Sequence, residues 1–149
     1  MASKKLTDAE LGAWAGTIRA GQTVLEKIEA ALKRRGLPPL AFYDVLLELS
    51  REPAGRLRLN ELGGRVLLSK SNVTRLVDRL ESEGLVVREA CADDARGAFA
   101  VITPEGRALT RRMWSVYHDT LRACFFDLLD GRETARLAKL MRRVVAANR

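Results

Sequence analysis

The stretch of residues 57–103 constrains the fold most, because its pattern changes from short helices to short strands within one segment. Apolar residues first recur at helical spacing, at Leu62 and Val66 and then at Val73, Leu76, Val77 and Leu80. Ser69 and Gly84 suit the start and the end of the second helix, since serine caps helix N-termini and glycine ends helices. Residues 85–89 and 98–102 are rich in β-forming side chains. The segment therefore predicts a helix-turn-helix followed by a β-hairpin wing.

Longer helical patterns flank this segment at both ends. Apolar residues at helical spacing predict four helices, over about residues 8–35, 40–51, 104–129 and from Arg132 onward. Thr103 and Pro104 suit the cap and the first position of the helix that follows the hairpin. No linker interrupts residues 1–149, so we expect one mostly α domain with a small β-hairpin wing. Within it, the winged helix-turn-helix covers residues 55–103.

The composition is typical of a globular domain rather than of a membrane protein. Of the 149 residues, 47% are hydrophobic and 30% are charged, and no uncharged run approaches the roughly 20 residues of a membrane helix. The net charge is +7, but residues 56–103 carry eight basic and seven acidic side chains. Any DNA binding there must depend on the placement of single arginines. We expect a cytoplasmic protein, since the first residues lack the apolar stretch of a signal peptide.

Few residues are available for catalysis or metal binding. The chain has one histidine, His118, and two cysteines, Cys91 and Cys124. Metal sites and catalytic triads therefore lack their usual residues, and we expect no enzyme, metal or cofactor. Cys124 lies on an apolar helical stripe and suits the core, whereas Cys91 follows the first wing strand and is expected to be exposed. Whether either thiol senses redox state stays open, because Cys91 has no resolving partner nearby in sequence.

The helix predicted after Ser69 carries residue types that read DNA. At about 100° per residue, Arg75 and Asp78 point directly away from the apolar stripe. An arginine can hold guanine N7 and O6 together, and small polar residues near a helix N-terminus can bond phosphates or base edges. The candidate DNA-contacting residues of this helix are Ser69, Lys70, Ser71, Asn72, Thr74, Arg75 and Arg79. The alternative is a solvated face on which Arg75 pairs with Asp78 and Arg79 with Glu83.

Two motifs resemble the MarR family of bacterial transcriptional regulators. The first is LSKSNVTRLVDRLE over residues 68–81, followed by EGLV and Arg88. The second is DAR over residues 94–96, followed after six residues by TPEGR over residues 103–107. The resemblance also extends to the order of the predicted elements along the whole chain.

The resemblance implies a homodimer that binds double-stranded DNA. Such a protein pairs its terminal helices, here residues 8–35 and 104–147, and presents two winged helices to a palindromic operator. It typically acts as a repressor that a small effector releases. The resemblance also implies that Arg96 enters the minor groove at the wing tip while Asp94 helps to hold it. This sequence departs from many relatives because the residues beside Arg96 are neutral.

The resemblance further implies a pocket for a small aromatic or anionic effector, between the dimerising helices and the winged helix. Aromatic walls with polar tips suit such a ligand. The candidate pocket residues are Trp14, Ile18, Tyr43, Trp114, Tyr117 and His118. The alternative for each is an ordinary core position. For the whole protein, the alternative is an interaction module in which the winged helix binds another protein through its arginines.

Overall fold

The computed structural model describes residues 4–67 and 72–149, except for the side chains of residues 94–96. The helices are α1 (Asp8–Arg34), α2 (Leu40–Arg51), α3 (Leu59–Arg65), α4 (Val73–Ser82), α5 (Pro104–Cys124) and α6 (Gly131–Ala147). The strands are β1 (Arg56–Arg58), β2 (Val86–Cys91) and β3 (Asp94–Ile102). The fold is therefore mostly α with a small sheet, which confirms the predicted fold class.

The chain divides into two compact units. The described residues up to Ala30 and the segment His118–Arg149 form one unit, and Ala31–Tyr117 form the other. The second unit contains the described strands β1, β2 and β3 together with helices α2, α3 and α4. Within it, α3, α4 and these strands occupy the segment predicted to be a winged helix-turn-helix. Within the described ranges, no helix combines the length and apolar content that crossing a bilayer requires.

The wing is a three-stranded antiparallel sheet in the order β1-β3-β2. Strand β1 was not predicted, because its three residues are too few to show an alternating pattern. Leu57, at its centre, is buried and lies opposite Ala100 of β3, which is also buried. The predicted hairpin was thus incomplete, since this sheet has a third strand that precedes α3.

The core of the second unit is built from the apolar faces of its short helices. On α4, every residue of the predicted stripe is buried, namely Val73, Leu76, Val77 and Leu80. These side chains pack where α4 contacts α2, α3 and β2. The opposite face of α4 is therefore left exposed in a fixed orientation.

The chain turns sharply where α4 meets the wing and where the wing meets α5. Gly84 has a φ of +73°, a conformation that favours glycine, and it ends α4 as expected. The Thr103 hydroxyl donates to the Gly84 carbonyl oxygen at 2.7 Å and accepts the Gly106 N–H at 3.1 Å. The Leu85 carbonyl oxygen accepts the Thr103 N–H at 3.1 Å. These bonds fix the start of α5 against the base of the wing.

The first unit contains most of α1, the end of α5 and all of α6. Asp130 caps α6, where its carboxylate accepts the N–H groups of Arg132 and Glu133, each at 2.8 Å. The prediction that α5 continues to residue 129 was wrong, because the helix ends at Cys124 and a short 3-10 turn, Phe126–Leu128, follows. Leu128, which lies in this 3-10 turn rather than in the predicted helix, is 75% exposed.

Candidate nucleic-acid interface

The exposed face of α4 holds the predicted DNA-contacting residues that lie in the described chain. Asn72, Thr74, Arg75 and Arg79 are all exposed. Ser69, Lys70 and Ser71 lie outside the described residues, so their roles stay predictions. The face is rigidly presented, because the opposite face of the same helix is buried.

A shallow cavity of about 340 Å³ runs along this face between α4 and the start of α2. Its lining consists of Ala41, Asn72, Arg75, Leu76 and Arg79. The Arg79 guanidinium lies 5.0 Å from the centre of the Phe42 ring, at a distance typical of a cation–π contact. Arg79 is thus held at the edge of the cavity by the side chain of a buried aromatic residue.

Arg75 has no ion-pair partner among the residues that the structure describes, although pairing with Asp78 was the alternative. Asp78 instead contacts Arg88 of β2, whose Nη2 donates to its Oδ1 at 2.5 Å. The same guanidinium contacts Glu81 through Nη1 at 3.4 Å. The carboxylates on α4 are therefore paired with a distant arginine, while the Arg75 guanidinium remains accessible.

The outer part of the wing differs from its predicted form. The second strand begins at Asp94 rather than at Ala98, so Asp94 and Arg96 belong to β3 and the turn lies before them. The pairing with β2 jumps from Ala98 to Asp94, which leaves Arg96 in a bulge near the tip of the hairpin. Their side chains lie outside the described part, so the proposed minor-groove contact and its support by Asp94 are untested.

The wing sheet presents two further arginines that were not among the predicted DNA-contacting residues. Arg56 and Arg58 of β1 place their guanidinium carbons 4.4 Å and 5.5 Å from the centre of the Phe99 ring. Arg56 also lies 3.5 Å from a carboxylate oxygen of Glu89. Only Leu57 is buried between these two arginines, but three residues are too few for this alternation to identify a strand from sequence. The described cations of the wing therefore extend beyond the predicted set.

Three of the candidate pocket residues form an aromatic cluster in the second unit. The Tyr43 ring is stacked on Trp114 with centres 6.3 Å apart, and Tyr117 lies 5.3 Å from Tyr43 and 5.6 Å from Trp114. Trp114 is 45% exposed, so the cluster has a face open to solvent. The other candidates, Trp14, Ile18 and His118, belong to the first unit.

Both tyrosines of the cluster hold their protons more tightly than usual. Burial raises the pKa of the Tyr43 phenol, with a smaller contribution from Tyr117 that Arg51 partly opposes. Burial also raises the pKa of Tyr117, and the carboxylate of Asp44 adds to the effect. The phenols are consequently neutral at physiological pH and able to donate hydrogen bonds.

The described residues give no support to metal chemistry. Among them, no group of three or more histidine, cysteine, aspartate or glutamate side chains could hold a metal ion.

The expectation that Cys91 is exposed was wrong, since the residue is only 6% exposed at the end of β2, opposite Asp94. Cys124 is half-buried, and both thiols are free.

Comparison with known proteins gives a consistent result. A family model described as "MarR family" matches residues 35–97. The HTH-type transcriptional regulator MhqR of Bacillus subtilis is 31% identical over 104 residues, which cover 70% of this chain and 70% of MhqR.

Two solved structures from Streptomyces coelicolor are similar over nearly the whole chain. Sco3205, a MarR family transcriptional regulator crystallised in complex with DNA, is 32% identical with a TM-score of 0.88, over 98% of this chain and 91% of Sco3205. AbsC, a regulator of the same family, is 30% identical with a TM-score of 0.86, over 97% of each chain. These relatives are regulators rather than enzymes, which agrees with the sequence-based expectation. The chain therefore belongs to the MarR family of DNA-binding transcriptional regulators.

Proposed function

We propose that the protein binds a palindromic operator as a homodimer, with α4 in the major groove, and represses transcription until a small effector releases it. The observation that carries the proposal is the accessible Arg75 guanidinium on the exposed face of α4. The crystallisation of Sco3205 with DNA supports the same use of the fold here. DNA as a partner also favours the cytoplasm as the location of the protein.

Within this proposal, the exposed residues of α4 make different kinds of contact with DNA. Arg75 reads a guanine through two parallel hydrogen bonds, because its guanidinium has no competing carboxylate among the described residues. Asn72 and Thr74 lie near the N-terminus of α4 and contact base edges or phosphates. Arg79 contacts a phosphate, since its contact with Phe42 holds it at the edge of the cavity. Ser69, Lys70 and Ser71 complete the set at the start of the helix.

The wing supplies a second contact in the proposal. Arg96 enters the minor groove, where a narrow groove concentrates negative potential, and Asp94 orients it. The bulge in β3 favours this role, because bulges redirect side chains at the ends of hairpins. Arg56 and Arg58 add positive charge to the same sheet and favour the approach of a phosphate backbone.

The dimer of the proposal is supported by apolar residues on the terminal helices. Helix α6 has no buried residue, yet it carries apolar residues at helical spacing. They are Leu137, Leu140, Met141, Val144 and Val145. On α1, Trp14 is 66% exposed and Leu11 is 48% exposed. Exposed apolar stripes of this length are typical of protein interfaces. A second copy of the chain would cover them.

The aromatic cluster is the best-supported site for the effector. Tyr43, Trp114 and Tyr117 offer an open aromatic face, and the neutral phenols can donate to an anionic group. Replacement of Trp14 with phenylalanine leaves Trp114 as the sole tryptophan, so its fluorescence reports on the cluster. We expect benzoate to quench that emission saturably and to weaken DNA binding over the same concentration range. Unchanged emission with benzoate and with larger aromatic carboxylates would rule out the cluster as their site.

Selection of bound duplexes from a random pool tests the DNA-binding part of the proposal. We expect a recovered palindrome whose half-sites are one helical turn apart, about 10 base pairs from centre to centre. Arg75→Ala should lose about 1–3 kcal/mol and relax preference at one base pair per half-site. Lys70→Ala should weaken binding evenly across sequences, because a lysine near the edge of this face suits a phosphate, which carries no sequence information.

Two results would contradict sequence-specific DNA binding. A pool that yields no common sequence, with binding that depends only on salt, would favour the alternative of an interaction module without specific DNA binding. If Arg75→Ala leaves the base preference unchanged in a folded protein, Arg75 is not a reader.

A further inference from the structure

Arg88 connects the wing to α4 through three contacts. Its Nη2 donates to Asp78 Oδ1 at 2.5 Å, and its Nη1 donates to Glu81 Oε1 at 3.4 Å. Its backbone N–H donates to Glu81 Oε2 at 3.0 Å. The Arg88 side chain is 28% exposed, whereas those of Asp78 and Glu81 are 57% and 41% exposed. The partly covered Arg88 guanidinium therefore forms ion pairs with two exposed carboxylates.

The position of these carboxylates matters because they share α4 with the DNA-contacting arginines. Asp78 lies three residues after Arg75, on the part of the helix that points away from the core. Without a cation beside them, Asp78 and Glu81 would repel the phosphates of an approaching duplex. The Arg88 guanidinium offsets one of these two negative charges and so reduces the repulsion before DNA arrives.

We propose that Arg88 is a positioning residue for DNA binding, which shields Asp78 and Glu81 from the phosphates and holds the wing strand β2 in place against α4. It contacts neither base nor phosphate in this role. The inference rests on the proposed function in that it requires α4 to face DNA. It goes further by assigning a role to a residue of the wing strand that the DNA-contacting set does not include.

The geometry makes the side chain removable without loss of the fold. Arg88→Ala keeps the backbone N–H that Glu81 accepts, and exposed ion pairs contribute little to folding stability. The charge can then be tested separately from the side chain. Asp78→Asn together with Glu81→Gln removes both negative charges and keeps the shape of the side chains.

The experiment measures dissociation constants by fluorescence anisotropy, with the duplex that the wild-type protein selects from a random pool. Arg88→Ala should weaken binding about tenfold, because two uncompensated carboxylates then face the phosphates. Adding Asp78→Asn and Glu81→Gln to Arg88→Ala should restore the affinity to within about threefold of wild type. Arg88→Lys should restore it only in part, since an ammonium cannot hold two carboxylates in the fixed fork of a guanidinium.

Salt and a matched variant separate shielding from a general structural effect. The loss in Arg88→Ala should shrink from about 0.1 M to about 0.4 M salt, because screening shortens the range of the repulsion. Arg51→Ala is the control, since it also removes one positive charge and one exposed ion pair, with Glu48 at 3.2 Å. Its effect on binding should stay below about twofold, because Arg51 lies about 15 Å further along α2 than Ala41, the residue of α2 that lines the cavity beside α4.

Two outcomes would overturn the role of Arg88. One is wild-type affinity in Arg88→Ala, and the other is an equal gain from Asp78→Asn and Glu81→Gln with and without Arg88. Arg75→Ala in the same series shows which proposal has failed. If it still loses base preference, α4 reads DNA and only the assignment of Arg88 is wrong. If it also binds as wild type, the proposed function of α4 fails as well.

Discussion

Replacement of Gly106 with alanine should destabilise the protein, even though alanine is the better helix former. Gly106 lies in the first turn of α5, and a Cβ there would overlap the carbonyl oxygen of Leu85 and approach Ile102 Cγ1 to 2.8 Å. The overlapped atom is backbone and accepts the Thr103 N–H, so it cannot move aside without disturbing that bond. The base of the wing and the start of α5 would have to separate.

Three contributions set the expected magnitude. Overpacking typically costs about 1–3 kcal/mol. Weakening the bond between Thr103 and Leu85 adds about 1 kcal/mol, and the gain in helix propensity returns at most about 1 kcal/mol. We therefore expect the free energy of unfolding to fall by about 2 kcal/mol, which corresponds to roughly 4–8 °C in melting temperature for a chain of this size.

Gly64→Ala provides a matched control with the opposite expected sign. Gly64 is an exposed residue within α3, and a Cβ there would meet nothing within 4 Å. The same substitution should therefore stabilise by about 0.5–1 kcal/mol. Urea unfolding followed by circular dichroism measures both, at one protein concentration because association shifts apparent stability. A Gly106→Ala protein as stable as wild type would refute the packing argument.

The other predictions address pH, assembly and the wing. Because burial raises the native pKa of Tyr43 and Tyr117 above 10.0, the stability these phenols provide is present below that pH and lost as pH rises towards the native value. In urea unfolding between about pH 9 and pH 11, wild type should thus lose stability more steeply than a double phenylalanine variant. Leu137→Asp and Leu140→Asp should each halve the mass seen by light scattering or unfold the chain, since an unpaired charge buried at an interface costs several kcal/mol; a monomeric wild type would contradict the proposed dimer. Arg96→Ala should weaken binding most for operators with A·T-rich flanks and lower the salt slope by about one, whereas equal losses on all flanks would reduce the wing to a passive turn.

The sequence alone predicts those features that depend on neighbouring residues. The bounds of α2 are as predicted, Leu40–Arg51, because an apolar face repeats along the helix and prolines flank it. The buried stripe of α4 and its end at Gly84 follow from the same local rules. The candidate reading face could be placed for the same reason, since the buried stripe of a helix fixes what its other face presents.

The features that the sequence did not predict depend on segments distant along the chain. Strand β1 is defined by its pairing with β3, more than forty residues later, and not by its three residues alone. Cys91 is buried because of its place at the end of β2 in the sheet, which the residues next to it in sequence do not reveal.

The interaction partners of charged residues show most clearly the difference between what neighbouring residues determine and what distant segments determine. From sequence spacing, Asp78 could form an ion pair with Arg75 on its own helix. In the fold it pairs instead with Arg88, which also pairs with Glu81. Spacing likewise offered Arg79 the carboxylate of Glu83, whereas the fold places its guanidinium over Phe42 of α2. Periodicity determines which face of a helix is exposed, because it is a property of consecutive residues. The partners that exposed charges find are decided by which other elements the tertiary structure brings within a few ångströms.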